Sequence, residues 1–420
     1  MRHPAPSLWA ATAPAGPATT PIDGAVAADV CVVGAGVLGL SLALHLAEAG
    51  ARVVVLEAAA PGFAASGRNG GLVVPSFARL DPATAKRLLP SHGDALCHLV
   101  ATGGERIWAL IARHQIACEA SPTGWLNPAH RPSRMPAVAA RAEQWHALGR
   151  PVQVLDAREV SAIIGSDRFH GALYDPTGGH LNPLAYTRGL ATAAIAAGAV
   201  IHTDSAATGF ERADRHWRVR IATGAVSAER VYWCTNASDS LVATAAVPLV
   251  VHQMATEVLP AAVRARVLVG SPSLSDTRAN LFSARWTADG RLGTGGMASW
   301  APEAAGPRLA PKLAARLARE LGIGEVRLTM AYAWTGVAAL TPHFLPRLIE
   351  VAPGVIAPLA CNGRGLCLTT ALGAALATHA LGRGALPLPL EPYQPIRAHS
   401  VAQYLPRLLL PLGDLQDRRK

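Results

Sequence analysis

A few residues near the front of the chain have the types and spacing to hold an anionic, hydroxyl-rich ligand. Gly34, Gly36 and Gly39 stand in a G-x-G-x-x-G pattern, and Glu57 follows with Ala58 beside it. In such a pattern the first glycine lets a strand turn sharply. The second has no side chain to keep a pyrophosphate off the backbone, and the third lets a helix lie close on a strand. Val37 and Leu38 would open that helix, where free N–H groups and the helix dipole favour an anion. Glu57 is placed to accept hydrogen bonds from ribose hydroxyls. Its carboxylate would repel a 2′-phosphate, which disfavours NADP.

Those residues work only on a strand–helix–strand frame, and the flanking sequence supplies one. Residues 29–33 form an apolar run, residues 37–48 are proline-free with helical character, Gly50 ends them, and residues 52–56 form a second apolar run that leads to Glu57. The frame predicts a dinucleotide site in an α/β fold but does not choose between FAD and NAD.

Composition sets the outer bounds. The 420 residues are half hydrophobic, enough for a two-lobed enzyme or two to three domains. The net charge is +10, nearly all from arginine, because lysine occurs only at Lys86, Lys312 and Lys420. The arginines are spread along the chain without interleaved aromatics, so no nucleic-acid partner is expected. Cys31, Cys97, Cys118, Cys234, Cys361 and Cys367 form no C-x-x-C pair. Core packing in a reducing cytoplasm is expected, with neither disulfides nor a metal. No apolar run reaches membrane-spanning length.

A second polar, small-residue loop reads Ser66-Gly67-Arg68-Asn69-Gly70-Gly71, and a third glycine-rich helix start reads Asn362-Gly363-Arg364-Gly365-Leu366. Together with the first motif they resemble the D-amino-acid oxidase superfamily of FAD-dependent oxidoreductases, closest in motif to γ-glutamylputrescine oxidase-like proteins. The resemblance covers nearly the whole chain. It implies non-covalently bound FAD and a two-lobed flavoenzyme, with a discontinuous Rossmann-like FAD-binding domain and a mixed-sheet substrate domain. The expected boundaries are an arm at 1–28, an FAD domain at 29–88, 152–240 and 334–384, a substrate domain at 89–151 and 241–333, and a tail at 385–420.

The resemblance also implies site residues. Ser66 to Gly71 would reach the pyrophosphate and ring, the main chain near Ala207 would meet adenine, and Asn236 would lie where the chain passes the flavin. Gly363 to Leu366 would aim a helix N-terminus at the ring. Arg68, Asn69, Trp334 and Arg364 are the candidates nearest the reacting atoms, with no obligate catalytic base. The implied reaction is oxidation of a C–N bond in a small amine or amino acid. A hydride passes to flavin N5, and the imine left behind hydrolyses.

The electron acceptor is open between O2 and a quinone or carrier protein. Sarcosine oxidases place an oxygen-activating lysine where this chain has Gly293. The family's carboxylate-binding arginine position reads Ala338. A flavoprotein that binds RNA or a membrane surface is a further reading, supported by the basic charge and the tail at 404–412. The prolines of that tail argue against a good amphipathic helix.

Overall fold

The computed structural model describes residues 7–236, 241–360 and 362–418; Cys361, Ala237 and the terminal Arg419-Lys420 lie outside the described residues. Two large sheets organise the chain. The first runs Leu390–Pro392, Arg347–Ala352, Val355–Leu359, Gly224–Trp233, Gly24–Val33, Val53–Leu56 and Val200–His202 in spatial order. Its centre is parallel, with Val30 opposite both Val53 and Arg230.

A parallel strand covered on both faces must be apolar throughout, and Val53–Leu56 is buried at every position. The pleat of Gly24–Val33 sends Val30 and Val32 into a core shared with the helices Val37–Glu48, Pro183–Ala196 and Gly365–Ala380. Cys31 and Val33 point the other way, into a core shared with Trp217 and Val219 of the hairpin that flanks the sheet.

The second sheet runs Met330–Leu340, Val247–Thr256, Leu292–Gly296, Ser283–Trp286, Ser273–Ser275, Trp125–Pro128, Ala172–Asp175 and Gln153–Leu155. It is mixed, antiparallel except where Ser273–Ser275 runs parallel to Trp125–Pro128. The helix Gly306–Glu320 packs on it through Leu313 and Leu317.

Strand pairing moves several expected boundaries. The first strand begins at Gly24, opposite Gly224, inside the expected arm. Gln153–Leu155 and Ala172–Asp175 belong to the second sheet, although their segment reads as cofactor domain. Met330–Leu340 is likewise one strand of the second sheet on both sides of residue 334. The helices Gly93–Ala101 and Gly103–His114 pack on Gly365–Ala380, beside the first sheet's helices. Each shift has one cause: these elements find their partners far away in sequence, and local pattern carries no such information.

Where the halves meet, Arg150 is buried and ion-paired with Asp175. It also donates to the carbonyls of Pro75 and Ala101, at 2.8 Å each. The five described cysteines are free thiols, and burial pushes all of them up in pKa.

Both ends of the described residues fold onto the body. Ser7 caps the short helix Leu8–Thr12, accepting from the Ala10 N–H at 3.1 Å. Trp9 is buried edge-on against Trp334 with ring centroids 5.5 Å apart. At the other end, Leu405–Arg418 is helical despite its prolines. Pro406 stands in the first turn, where no donor is needed, and only Pro411 removes an internal bond. The tail is anchored where the Ala279 N–H donates to Asp417 at 2.7 Å. Among the described residues no helix is long and apolar enough to cross a membrane.

Trp9→Ala should cost about 3–5 kcal/mol through the cavity it leaves. A urea melt checks this; an unchanged midpoint would mean that the arm is only laid on the surface.

Candidate active site

Gly34 occupies the left-handed region at φ +107°, and a Cβ there would meet the Cys234 carbonyl at 2.9 Å. Its turn puts Gly36 at the head of the helix Val37–Glu48, with no side-chain cap on the helix from Gly36 itself. The Val37 N–H donates instead to Ser66 Oγ at 3.0 Å, which brings the second polar loop onto the same helix end. A Cβ on Gly39 would stand 2.1 Å from the Gly34 carbonyl, so helix and strand meet without a side chain between them.

Glu57 ends the second strand and receives backbone N–H groups from Ala35 at 2.8 Å and Ala59 at 2.9 Å. Burial raises its pKa above the usual carboxylate range, and these backbone donors oppose the rise.

These groups line one end of a cavity of about 990 Å³. Gly34, Gly36, Val37, Leu38, Glu57, Ala58, Ser66, Ala207 and Asn236 are on its wall there. Arg68, Asn69, Gly70, Gly363, Arg364, Gly365 and Leu366 line it toward the second sheet, where Gln253, Gly295, Gly336 and Ala338 face them. Thr235 Oγ1, Asn236 Oδ1 and Asn362 Nδ2 are buried without a protein partner, and all three residues line the cavity. Orphaned buried polar atoms call for a polar ligand. With the glycine cradle and Glu57 at one end, the residues present fit an FAD.

The expected site residues divide into two groups. Gly39, Gly67, Gly71 and Trp334 are not on the cavity wall. Gly67 and Gly71 are packing positions, where a Cβ would lie 2.2 Å from the Gly62 carbonyl and 2.1 Å from the Leu181 carbonyl. Trp334 sits behind the second loop, donating its indole N–H to the Arg68 carbonyl at 2.9 Å. It therefore supports the site, a correction to its expected place beside the reacting atoms.

Asn69 is also committed elsewhere. Its amide donates to the Ser66 carbonyl at 2.8 Å and accepts from the Gly71 N–H at 2.9 Å, holding its own loop. Trp9 donates to the Asn69 carbonyl at 2.8 Å, so arm and sheet grip the loop from behind.

Arg68 and Arg364 do face the cavity. Arg68 Nε donates to the Thr335 carbonyl at 2.5 Å. Arg364 donates to the Phe77 carbonyl at 2.8 Å and lies over the Trp125 ring at 4.8 Å. Burial, then the nearby Arg141 and Arg79, pulls its pKa down to about 9. Sequence reading missed Arg79 and Gln253, which stand on the wall from segments without a motif. Among the described residues no lysine or histidine lines the cavity; Lys86 pairs with Asp94 at 2.6 Å on the surface.

Replacing Glu57 with Gln should weaken FAD binding by about 1.5–3 kcal/mol, the worth of a charged hydrogen bond. Glu57→Arg should do more damage. Apo-protein titrated with FAD measures both, and a Glu57→Arg protein that purifies with full flavin would contradict the placement of the ribose.

The chain matches a sequence profile described as FAD dependent oxidoreductase over residues 29–379. It is 33% identical over 361 residues to the gamma-glutamylputrescine oxidoreductase of Escherichia coli (strain K12), covering 84% of this chain and 83% of the relative. A probable oxidoreductase OrdL of Haemophilus influenzae is 29% identical over 84% of this chain and 83% of its own length. The fold is shared with glycine oxidase from Geobacillus kaustophilus, with a TM-score of 0.69 and 19% identity over 86% of this chain and 96% of that one. It is shared equally with L-proline dehydrogenase from P. horikoshii, with a TM-score of 0.72 and 16% identity over 87% of this chain and 96% of that one. With the profile spanning most of the chain and a cavity built for its cofactor, this protein belongs to the FAD dependent oxidoreductase family.

Proposed function

We propose that this chain oxidises a C–N bond in a small amine, or in a compound whose amino group is remote from a carboxylate. The observation that carries the reading is a single cavity with a dinucleotide cradle at one end and, at the other, a sheet wall of small and apolar side chains with Ala338 among them. The relatedness to gamma-glutamylputrescine oxidoreductase supports the choice of an amine. A simple α-amino acid would bring its carboxylate to the same wall, where position 338 offers no arginine to pair with it, and an unpaired buried carboxylate is costly.

Glycines 34 and 36 and Glu57 would hold the adenosine diphosphate end, and the loop of Arg68 and Gly70 with Gly363–Leu366 would hold the ring end. Bound FAD supplies the hydride acceptor at N5, leaving an imine that water hydrolyses to a carbonyl compound and ammonia or an amine. The protein's own contribution is to orient the neutral amine and exclude water. Gly365 opens the helix Gly365–Ala380 at the ring end, and its positive end favours negative charge there. No side-chain base is assigned.

Transfer of electrons to a quinone or carrier protein is the second reading. It is favoured by a cavity wall on which, among the described residues, no lysine stands. Peroxide output measured against reduction of an artificial acceptor separates it from oxidase chemistry.

FAD is proposed to bind without a covalent link. Cys234 is the cysteine on the wall among the described residues, and burial raises its pKa, keeping it protonated and poorly nucleophilic. Acid precipitation should leave the yellow colour in the supernatant; a flavin-bearing peptide in the pellet would overturn this.

Steady-state assays of putrescine-like amines and their acylated forms against glycine, sarcosine and D-alanine test the substrate class. The amines should lead. An α-amino acid with kcat/KM about tenfold above every amine, a transition-state difference of about 1.4 kcal/mol, would refute the reading.

A further inference from the structure

Near the loop of Gly363 and Arg364 the large cavity adjoins a smaller one of about 190 Å³. Ala78, Arg79, Leu281 and Arg364 line both. The small pocket carries Arg79, Arg134, Arg141, Arg278 and Arg364 against one lining carboxylate, Asp276.

That carboxylate is already engaged. Asp276 is ion-paired with Arg278 and accepts the backbone N–H groups of Phe282 at 2.8 Å and Arg278 at 3.1 Å. Arg278 also reaches Glu320 at 3.1 Å, and Arg134 lies 3.8 Å from Asp417. Arg79, Arg141 and Arg364 remain, and among the described residues none of them has an ion-pair partner. Their hydrogen bonds go to neutral acceptors: the Ala279 carbonyl, Asn127 Oδ1 at 3.2 Å, and the Phe77 carbonyl with Ser275 Oγ. The Nε groups of Arg134 and Arg141 are buried with no acceptor.

Guanidiniums gathered in excess of their counter-charge repel one another and give up hydration. Burial lowers the pKa of Arg79, Arg141 and Arg364 alike; neighbouring arginines add to this most at Arg364, while Asp417 and Asp276 oppose it at Arg79 and Asp81 opposes it at Arg141. An anion presenting a planar pair of oxygens would satisfy the open N–H groups and offset the repulsion. The position of the pocket decides where that anion comes from. It opens beside the ring end of the large cavity, so one molecule can place an amine in the large cavity and an anion in the small one.

We propose that the arginine pocket binds a carboxylate carried by the substrate, separated from the reacting amine by a spacer of several atoms. The proposal rests on the reading of the large cavity as a C–N oxidation site. It reconciles the lack of an arginine at Ala338 with the surplus of arginine nearby: the carboxylate is recognised, but away from the carbon that is oxidised.

The test uses the FAD-loaded protein. Anaerobic flavin reduction is followed with putrescine capped by a succinyl group, which ends in a carboxylate, and with putrescine capped by an acetyl group, which does not. The succinyl compound should have a kcat/KM at least about tenfold higher, mainly through KM, and Arg141→Met should bring the ratio to within about threefold. Arg141→Lys should recover only part of it, because a point charge does not replace the fork. Arg79→Met gives the same reading should Arg141→Met fail to fold.

Calorimetry with N-acetyl-γ-aminobutyrate, a carboxylate with no reactive amine, measures the pocket without turnover. Binding should be lost in Arg141→Met, and inorganic phosphate should bind more weakly. Equal reduction by the two capped amines would overturn the pocket assignment while leaving C–N oxidation standing. Flavin reduction by neither amine would sink the C–N reading, and the calorimetry would then decide the pocket alone. Phosphate binding as tightly as the carboxylate, or carboxylate binding unmoved by Arg141→Met, would show a general anion site and overturn the proposal.

Discussion

The approach of one helix to one strand is the contact on which the rest of the molecule depends. The helix Val37–Glu48 crosses the strand Gly24–Val33 so closely that a Cβ on Gly39 would lie 2.1 Å from the Gly34 carbonyl. Because nothing stands between them, the start of the helix lines the cavity and Ala35 is brought within 2.8 Å of Glu57. The helix end and the Glu57 carboxylate, which we propose receive the pyrophosphate and the ribose, thus follow from a single packing event. The three helices on that face and the apolar pleat beneath them fix it in place.

The other end of the cavity is fixed from behind. The loop Ser66 to Gly71 has too few apolar side chains to hold itself, and it is stapled by groups from three other elements. Trp334 reaches it from the second sheet, Trp9 from the N-terminal helix, and the Val37 N–H from the helix Val37–Glu48. Arg285 backs the same wall, stacked on Trp9 at 4.5 Å and donating to the Leu181 carbonyl at 2.7 Å. The loop is where the two sheets and the arm converge, so the position of any bound ring is set by all three.

Legibility in the sequence followed the range of the interactions. Gly34, Gly36, Gly39 and Glu57 were readable because strand, helix and strand are consecutive and each residue type has one physical reason to be there. The Gly363–Leu366 helix start was readable for the same reason. The roles of Asn69 and Trp334 were not, since each depends on the direction of a side chain set by distant elements. The arginine pocket gave no signal at all. Arg364 stands out only as part of a glycine-rich helix start, and Arg79, Arg141 and Arg278 come from three further segments that nothing marks in a chain whose charge is mostly arginine. Nor was it readable that Gln153–Leu155 joins the second sheet, because it pairs with Ala172–Asp175, itself paired with Trp125–Pro128.

The central claim is that the cavity was built around the adenosine diphosphate end of a flavin dinucleotide. Stripping the protein of flavin and titrating it separately with FAD, FMN and NAD tests that claim most directly. FMN lacks the adenosine on which Glu57 and Ala207 would act, and NAD lacks the flavin ring that the loops of Arg68 and Arg364 would hold. FAD should bind at least about a hundredfold more tightly than either, a difference of about 2.7 kcal/mol. FMN or NAD binding as tightly as FAD would contradict the account.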